Sequence, residues 1–493
     1  MRLRALILAF VAALLAGCSG KEDIPVQLSA DKSEVDVTCA AATVSVNLAV
    51  SDVPHMSSTA SWCTLRPGKL YYNKIKVDVD IAENKSSGPR ECCLTFSLGG
   101  RSVLVWVRQE GRESAPVEEP DPSEDDRKIQ AEIAAVYITT PGWRQITSKD
   151  SWMTDATMQI VHEGGAKEDY GKIEIKGRGN TTWWSYPKKP YTIRLAEKRP
   201  VLGMPEGKRW NLLANWMDRT DIRNDVALEI ARRTKSLGWT PSGRFVELYV
   251  NNNHQGNYYL CEKVSMSKNR VYDGPDGVLL ELDVNYDEKF KFYSRSLALP
   301  VNVKEPDGDK MTDELFMHIQ DVFNTAEEAV CAGNPTWRDL VDMDSFIDFW
   351  FVQELTFNWE PNHPKSCFLH FGTDGVIKAG PVWDFDWETF KPNDSHFRDK
   401  SSIWYAYMFR DPVFVARVKE KWTESREDFS TIPEYIDAIY EAVKPSVEAD
   451  ARQWPINQYV NGDESMSVSD AVARMRKSFS DRFNWMDSAI RGL

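Results

Sequence analysis

Long apolar runs and CxxC motifs are missing from this sequence of 493 residues, and histidine is scarce, with 7 copies. Without an apolar run of ~20 residues, no segment is predicted to cross a bilayer. Without CxxC pairs, no zinc-ribbon site is predicted. Basic residues are outnumbered, because 60 Lys and Arg stand against 74 Asp and Glu, a net charge of −14. This balance argues against a nucleic-acid partner and against an anionic membrane surface, since both attract positive charge.

The first residues are typical of an exported bacterial lipoprotein. Two arginines precede a short apolar run, and small residues lead into Cys18. This is the layout of a secretory signal, so we expect residues 1–17 to be removed, Cys18 to carry a lipid and residues 18–23 to act as a tether. The membrane would be reached only through this lipid. The expected location is the bacterial cell envelope, on the outer membrane, facing the periplasm or the cell surface.

The pattern of residues 24–111 predicts a small all-β, immunoglobulin-like sandwich. Short runs rich in Val and Thr are separated by turn formers. Trp62 followed by SGPRECCLTFSLGGRSVLVWVRQEG resembles the BACON domain of exported Bacteroidetes proteins, which implies either a glycan-binding module or a spacer. Cysteines in an exported domain could form a disulfide or stay as buried thiols. Residues 112–127, rich in Pro, Glu and Asp, are predicted to be a linker.

The rest of the chain, residues 128–493, predicts an α+β domain of two lobes. Strand-like runs come first, with one helical run, TDIRNDVALEIARRTKSLG, between them. Asp221 could cap that helix and Gly238 could end it. Helical patterns dominate after Thr312.

A glycine-rich segment, KGRGNTTWWSYPKKPYTIRL, lies between two predicted strands. Glycines let backbone amides approach an anion closely, and Lys188 and Lys189 on the returning strand could reach a phosphate there. The same pattern also fits an ordinary hairpin with surface lysines. The segment carries three aromatic residues that could stack on a sugar or pack beneath the loop: Trp183, Trp184 and Tyr186.

Glu262 lies on a later predicted strand, after the turn at residues 251–256. It could pair with a lysine such as Lys189 in a nucleotide site. It could equally form a structural salt bridge or face solvent.

The stretch GPVWDFDWE puts Asp384 and Asp386 two apart in an aromatic run, after the predicted hairpin CFLHFGTDGVIKAG. Residues two apart on a strand point to the same face, so the sequence predicts two neighbouring carboxylates. Like charges that close raise each other's pKa unless a cation bridges them. Oxygen ligands, with a loop amide such as Asn362, suit Mg²⁺ or Mn²⁺. His363 is interpreted as a loop residue and not as a ligand.

Five blocks between residues 130 and 390 resemble, in order and spacing, the CotH kinase family, named after the spore coat protein H kinase. They are IKGRGNTTWWSYPKKPYTIRL, WNLLANWMDRTDIRNDVALEIARR, RFVELYVNNNHQGNYYLCEKV, GVLLELDV, and ELTFNWEP with SCFLHF and GVIKAGPVWDFDW. The resemblance implies an atypical protein-kinase-like fold. It also implies ATP-dependent phosphorylation of Ser or Thr hydroxyls in a protein substrate.

The resemblance further implies residue roles. Asp384 would bind the metal ion, with Asp386 as a second ligand. The implied nucleotide-binding residues are Arg178, Asn180, Lys188, Lys189 and Glu262. The family's Asn-x-Asp, whose Asp is the expected base for the substrate hydroxyl, is replaced here by Asn358-Trp359-Glu360. Glu360 would then be the base, with a reach one methylene longer.

Three functions are open at this point. The first is an exported kinase that uses ATP with Mg²⁺ or Mn²⁺, although little ATP is expected beyond the inner membrane. The second is a catalytically inactive, kinase-like cell-surface protein that contacts glycans or host proteins. A glycan-cleaving enzyme is a poorer fit, because that chemistry needs two carboxylates ~5 to 10 Å apart across a cleft.

Overall fold

The computed structural model describes residues 26–85, 88–111, 133–162, 164–392 and 395–493. It divides the chain into two compact units, Met1–Glu118 and Glu119–Leu493. The predicted signal peptide, the lipid site at Cys18, the tether and the predicted linker lie outside the described residues. None of the helices in the described ranges is both long and apolar enough to cross a membrane.

The described part of the first unit is all-β, and it forms two four-stranded sheets. Their strand orders are β1-β3-β6-β5 and β2-β8-β7-β4. Val77 and Val79 from one sheet and Leu94 and Val105 from the other are fully buried in a shared core. The strands are β1 Leu28–Ala30, β2 Glu34–Val37, β3 Ala42–Val50, β4 His55–Ser58, β5 Cys63–Pro67, β6 Lys74–Ile81, β7 Arg90–Leu98 and β8 Arg101–Gln109.

Alternation of small apolar and polar residues produces these strands. In β6, KIKVDVDI, every second residue is buried, which is the pattern of a strand with one face on a core. All seven cysteines in the described ranges are free thiols. Of the two alternatives for the cysteines, a disulfide or free thiols, the structure has free thiols in the described ranges.

The second unit begins with a closed barrel of seven strands, in the order β10-β11-β12-β13-β15-β14-β9. The parallel pair β9–β14 closes it, so the barrel leaves no strand edge unpaired. Its interior is filled by apolar side chains such as Ile175, Ile193 and Leu248. The strands are β9 Ala135–Thr139, β10 Met153–Val161, β11 Lys167–Gly177, β12 Tyr191–Val201, β13 Met204–Leu213, β14 Gly243–Val250 and β15 Asn253–Glu262.

Two helices interrupt the barrel strands: α1 Thr181–Ser185 and α2 Arg223–Arg232. The predicted helix corresponds to α2, but its predicted ends are wrong. Asp218, not Asp221, accepts a hydrogen bond from the Arg223 amide at the start of α2. The Asp221 backbone has a φ of 58°, outside the usual N-cap geometry. The helix ends six residues before Gly238.

The remaining chain combines a five-stranded sheet, β17-β18-β16-β19-β20, with helices. Helix α5 is buried from Ser345 to its last residue, so it packs inside the helical part. The strands are β16 Val278–Leu282, β17 Lys291–Tyr293, β18 Pro300–Glu305, β19 Cys367–Phe371 and β20 Lys378–Ala379. The helices are α3 Asp313–Ala332, α4 Trp337–Leu340, α5 Met343–Thr356, α6 Tyr405–Met408, α7 Pro412–Ser430, α8 Ile432–Gln453 and α9 Val468–Arg491.

The predicted mixture of strands and helices is confirmed. Strands dominate before α3 and helices after it, as expected. The β19–β20 hairpin follows α5 where it was predicted, and it pairs Leu369 with Ala379. The hairpin therefore carries the chain from the buried helix α5 to the segment with the two aspartates.

Candidate functional site

The segment with Asp384 and Asp386 is not a strand. Strand β20 ends at Ala379, and the Asp384 backbone has a φ of 72°, in the left-handed region that residues with a side chain rarely adopt. The prediction of two same-face strand positions is therefore wrong, because this conformation breaks the alternation that it assumed. Burial raises the pKa of Asp386, and the two carboxylates are still close enough for Asp384 to add to that rise.

Contacts from distant segments hold this loop. The Phe385 amide donates to Asn224 Oδ1 on α2 at 2.8 Å. Asn461, before α9, donates to the Asp386 carbonyl at 2.9 Å. The Ser366 hydroxyl donates to Asp384 Oδ2 at 3.1 Å. The carboxylates are therefore fixed by tertiary contacts and not by a sheet.

Glu360 begins a short 3-10 helix, Glu360–Asn362, that follows α5, and it is only 2% exposed. Its Oε1 lies 3.5 Å from Lys365 Nζ. Its Oε2 lies 3.6 Å from His363 Nε2 and has no hydrogen-bond partner in the described part of the chain. Leaving a buried carboxylate oxygen without a donor is costly. A bound ligand or cation would remove that cost.

The charges of these groups depend on one another. Burial raises the pKa of Glu360 to about 8; Asp384 adds to the rise and Lys365 opposes it. Burial and then Asp384 raise the pKa of Asp386 to about 7. Burial alone would lower the pKa of Lys365, but Asp384 and Glu360 outweigh it and hold that pKa above its usual value. Four carboxylates, those of Asp384, Glu360, Asp283 and Asp386, thus act on one partly buried ammonium group.

The glycine-rich loop reaches the same site. The Arg178 guanidinium lies 5.6 Å from the ring centroid of Trp383, the residue before Asp384. Burial and then Asp386 raise the pKa of Tyr186 to about 12. Arg178, predicted to cover a nucleotide, is therefore brought next to the predicted metal ligands.

Most of the aromatic cluster in this loop packs inside the protein. Trp183 and Tyr186 are buried, whereas Trp184 is 66% exposed. A Cβ on Gly177 would lie 2.4 Å from the Trp183 ring, so Gly177 is needed for that packing. The packing alternative is confirmed for Trp183 and Tyr186.

Asn180 contacts two side chains outside the site. It accepts a hydrogen bond from Lys149, and its Nδ2 lies 3.4 Å from Asp287 Oδ2. Its contact with a nucleotide stays a prediction.

The two lysines predicted to bind phosphate already have protein partners. Lys188 is fully buried; its Nζ lies 2.8 Å from Asp450 Oδ1 and donates to the Asn257 carbonyl. Lys189 Nζ donates to the Trp183 carbonyl at 2.6 Å. Their contact with phosphate stays a prediction, and it would need these bonds to be exchanged.

Glu262 forms a structural salt bridge, one of its three alternatives. Its Oε1 lies 3.7 Å from Arg270 Nε, and its Oε2 accepts a hydrogen bond from the Ser242 amide at 2.9 Å. It is fully buried, so it does not face solvent.

The donor set at the site suits one mode of metal binding. Across the described ranges, no group of three or more His, Cys, Asp and Glu is arranged to hold a metal ion by itself. Mg²⁺ is usually held by one or two carboxylates together with substrate phosphates and water. Asp384 and Asp386 fit that mode. Asn362 donates to Asp399 Oδ1 at 2.7 Å, and its role as a ligand stays a prediction.

Sequence reasoning missed three residues that shape the site: Lys365, Asp218 and Asn461. Lys365 lies in the loop between Glu360 and β19, and a lysine between two candidate acids was a usable signal. Burial raises the pKa of Asp386, and the Asp218 carboxylate adds to that rise. Asn461 is far from the loop in sequence, and no local pattern marks it.

Similarity to solved structures is weak. A Bacteroides ovatus GH5 xyloglucanase in complex with a XXXG heptasaccharide is 14% identical, with a TM-score of 0.17 over 33% of this chain. The chain spans only 32% of that xyloglucanase. A protein from Bacteroides thetaiotaomicron is 16% identical over 20% of this chain and all of its own length, with a TM-score of 0.14. At these TM-scores neither neighbour decides the fold.

Among curated proteins, none matches the chain. The family model described as CotH kinase protein matches residues 173–486. That range includes the glycine-rich loop, Glu360 and both aspartates of the site. The chain therefore belongs to the CotH kinase family.

Proposed function

We propose that this protein is an active kinase with a two-lobed, protein-kinase-like domain. It would transfer phosphate from ATP to a Ser or Thr hydroxyl of a protein substrate, with Mg²⁺ or Mn²⁺ as cofactor. The observation that carries the proposal is the meeting of Glu360, Asp384 and Asp386 around Lys365. The barrel would form one lobe and the helical part the other.

Each residue of the site has a proposed role. The Asp384 and Asp386 carboxylates would hold the divalent ion, which neutralises phosphate charge when bound. The Lys365 ammonium would bind a phosphate oxygen, because it is held protonated among carboxylates. Glu360 would accept the proton of the attacking hydroxyl as the new bond to phosphorus forms and the bond to the departing ADP oxygen breaks.

Glu360 can act as a base only when it is ionised. Its pKa of about 8 keeps it largely protonated at neutral pH. Positive charge near Asp384 and Asp386 would weaken the repulsion and lower that pKa. The base would therefore become competent only after the site has been loaded.

We further propose that the protein acts in the bacterial cell envelope, anchored by a lipid on Cys18, and that its N-terminal unit is a BACON-like domain. No nucleic-acid partner is proposed. A glycan contact through the N-terminal unit belongs to the alternative function.

The test is nucleotide binding by the whole chain, measured as a thermal shift with ATP and MgCl₂ or MnCl₂. We expect stabilisation at millimolar ATP that depends on the metal and is lost in Asp384→Ala. Glu360→Gln should bind nucleotide like the wild type, yet lower autophosphorylation about 10²- to 10⁴-fold, the usual range for losing a general base. No stabilisation, or equal stabilisation in Asp384→Ala, would contradict the proposal.

One observation favours the inactive alternative, a kinase-like binding protein for glycans or host proteins. Lys188 is sealed in an ion pair with Asp450, so it is not available to phosphate in this conformation. If nucleotide does not bind and the chain binds a glycan array, the alternative replaces the kinase proposal.

A further inference from the structure

A hairpin in the first unit exposes a row of apolar side chains. The turn between β5 and β6 carries Leu70, Tyr71 and Tyr72, which are 36%, 72% and 84% exposed. The two tyrosine rings lie edge to face, with centroids 4.4 Å apart. Contiguous exposed apolar side chains can mark an interaction site, whereas single exposed apolar residues are ordinary.

The backbone holds this hairpin in a tight turn. Tyr71 and Lys74 exchange two backbone hydrogen bonds of 3.0 Å. Between them, Tyr72 and Asn73 have φ values of 46° and 58°, the pattern of a two-residue turn with both central residues left-handed. Asn tolerates that conformation, but a tyrosine does so only at a cost. The turn presents its two rings to solvent in spite of that cost.

A second loop adds to the same end of the sandwich. Val53, 57% exposed, lies just after β3. The Val50 amide at the end of β3 donates to the Asn73 carbonyl at 2.9 Å, so the two loops are neighbours. We call these residues the apolar tip: Val53, Leu70, Tyr71 and Tyr72.

The chain enters the unit at this end. Leu28 of β1 pairs with Val50, and the Gln27 amide donates to Ser51 Oγ at 3.2 Å. Gln27 is nine residues after Cys18, and a chain of that length reaches at most about 30 Å. A lipid on Cys18 would therefore keep Gln27, which contacts the loop that carries Val53, within that distance of a bilayer.

The charge around the tip is compatible with a lipid surface. Lys69 and Lys74 flank the aromatic residues and are exposed; Asp52 is the acidic residue of the neighbouring loop. The net negative charge of the whole chain does not extend to the first unit, because residues 26–111 contain nine basic and nine acidic residues. Tyrosine favours the headgroup layer of a membrane, since its ring is apolar and its hydroxyl is polar.

We propose that the apolar tip docks in the headgroup layer of a lipid bilayer. Tyr71 and Tyr72 enter the interface, and Lys69 and Lys74 contact lipid phosphates. This adds a second membrane contact to the predicted lipid and fixes the orientation of the unit, which a tether alone leaves free. The proposal is independent of the kinase activity.

The test is sedimentation with vesicles of phosphatidylethanolamine and phosphatidylglycerol. The protein used in this test starts at Ser19. It therefore lacks the predicted signal peptide and lipid site, and any binding to vesicles comes from the folded protein. We expect the wild type to bind and the double variant Tyr71→Ser/Tyr72→Ser to bind about tenfold less. Replacing Lys69 and Lys74 by Gln should weaken binding about fivefold for each lysine, and only on vesicles that contain phosphatidylglycerol.

The matched control is Tyr459→Ser in the second unit, where Tyr459 is 81% exposed. It should bind vesicles like the wild type. The proposal is overturned if the wild type does not sediment with vesicles, or if the Tyr71→Ser/Tyr72→Ser variant binds them as well as Tyr459→Ser does. It is also overturned if the tyrosines prove necessary for binding a glycan array and not for vesicles, because the tip is then a sugar platform.

Discussion

Lys188 and Asp450 form an ion pair that is sealed from solvent, with 2.8 Å between Nζ and Oδ1. Lys188 comes just before β12 of the barrel, and Asp450 lies in α8. Asp450 also accepts a hydrogen bond from the Asn257 amide of β15 at 2.8 Å. One carboxylate therefore joins two barrel segments to the helical half of the unit.

Removing one partner of this pair should be strongly destabilising. In Lys188→Met the Asp450 charge stays buried without its partner, and we expect a loss of about 3–5 kcal/mol in the free energy of unfolding. Lys189→Met is the control and should cost less, because Lys189 donates to neutral carbonyls. Urea denaturation measures both. Equal losses in the free energy of unfolding would mean that the ion pair contributes no more to stability than the hydrogen bonds of Lys189.

The second prediction concerns Gly177. A methyl group there would overlap the buried Trp183 ring, so Gly177→Ala should lower the free energy of unfolding by about 1–3 kcal/mol. Gly238→Ala is the matched control, since a Cβ on Gly238 meets nothing within 4 Å. Denaturant titration of both variants compares them. If Gly177→Ala is as stable as the control, the close packing of Trp183 is not required.

The third prediction is a pH dependence caused by Glu360. Its folded pKa of about 8 lies above its ordinary value of 4.5. Between those values the folded state holds a proton that the unfolded chain releases, so stability falls as pH rises through this window. The slope for one proton is at most about 1.4 kcal/mol per pH unit.

Glu360→Gln cannot titrate, and it should therefore show a flatter profile when unfolding is measured across this pH window. Added Mg²⁺ should flatten the wild-type profile in the same way. Parallel wild-type and variant profiles would show that Glu360 ionises normally in the folded protein.

The fourth prediction has the opposite sign and concerns Asp273. Burial alone would raise its pKa, but hydrogen bonds from His370 and Lys378 outweigh burial and lower it to about 2. The ion pairs contribute stability above about pH 4, and this is lost as pH falls towards 2. Asp273→Asn should thus cost about 2 kcal/mol at neutral pH and almost nothing near pH 2. An unchanged difference at both pH values would argue against this assignment.

The local pattern of apolar and polar residues was enough to predict the strands in which buried side chains recur at a regular spacing. The alternation in β6 and the apolar run of β19 lead directly to strands, because each follows the period of the surface it buries. The conformation at Asp384 was not predictable in this way. It depends on Asn224 and Asn461, which are distant in sequence and reach the loop only in the folded protein.

The chemical roles were harder to predict than the positions. Lysine is almost never fully buried unless it is paired, so both sequence-based interpretations of Lys188, a phosphate contact and a surface hairpin lysine, left it accessible. Its charge is compensated by Asp450, on a helix near the end of the chain. The separation between the partners explains why sequence reasoning assigned this lysine to phosphate.

The closure of the barrel also has a kinetic consequence. Strand β9 pairs with β14, and paired residues such as Ala135 and Glu247 are about 110 residues apart. Pairings across such distances are slow to form. During synthesis, β9 therefore cannot pair with β14 until the chain has been made beyond Val250. The export proposed above would benefit from that delay, because an exported chain must stay unfolded until it has crossed a membrane.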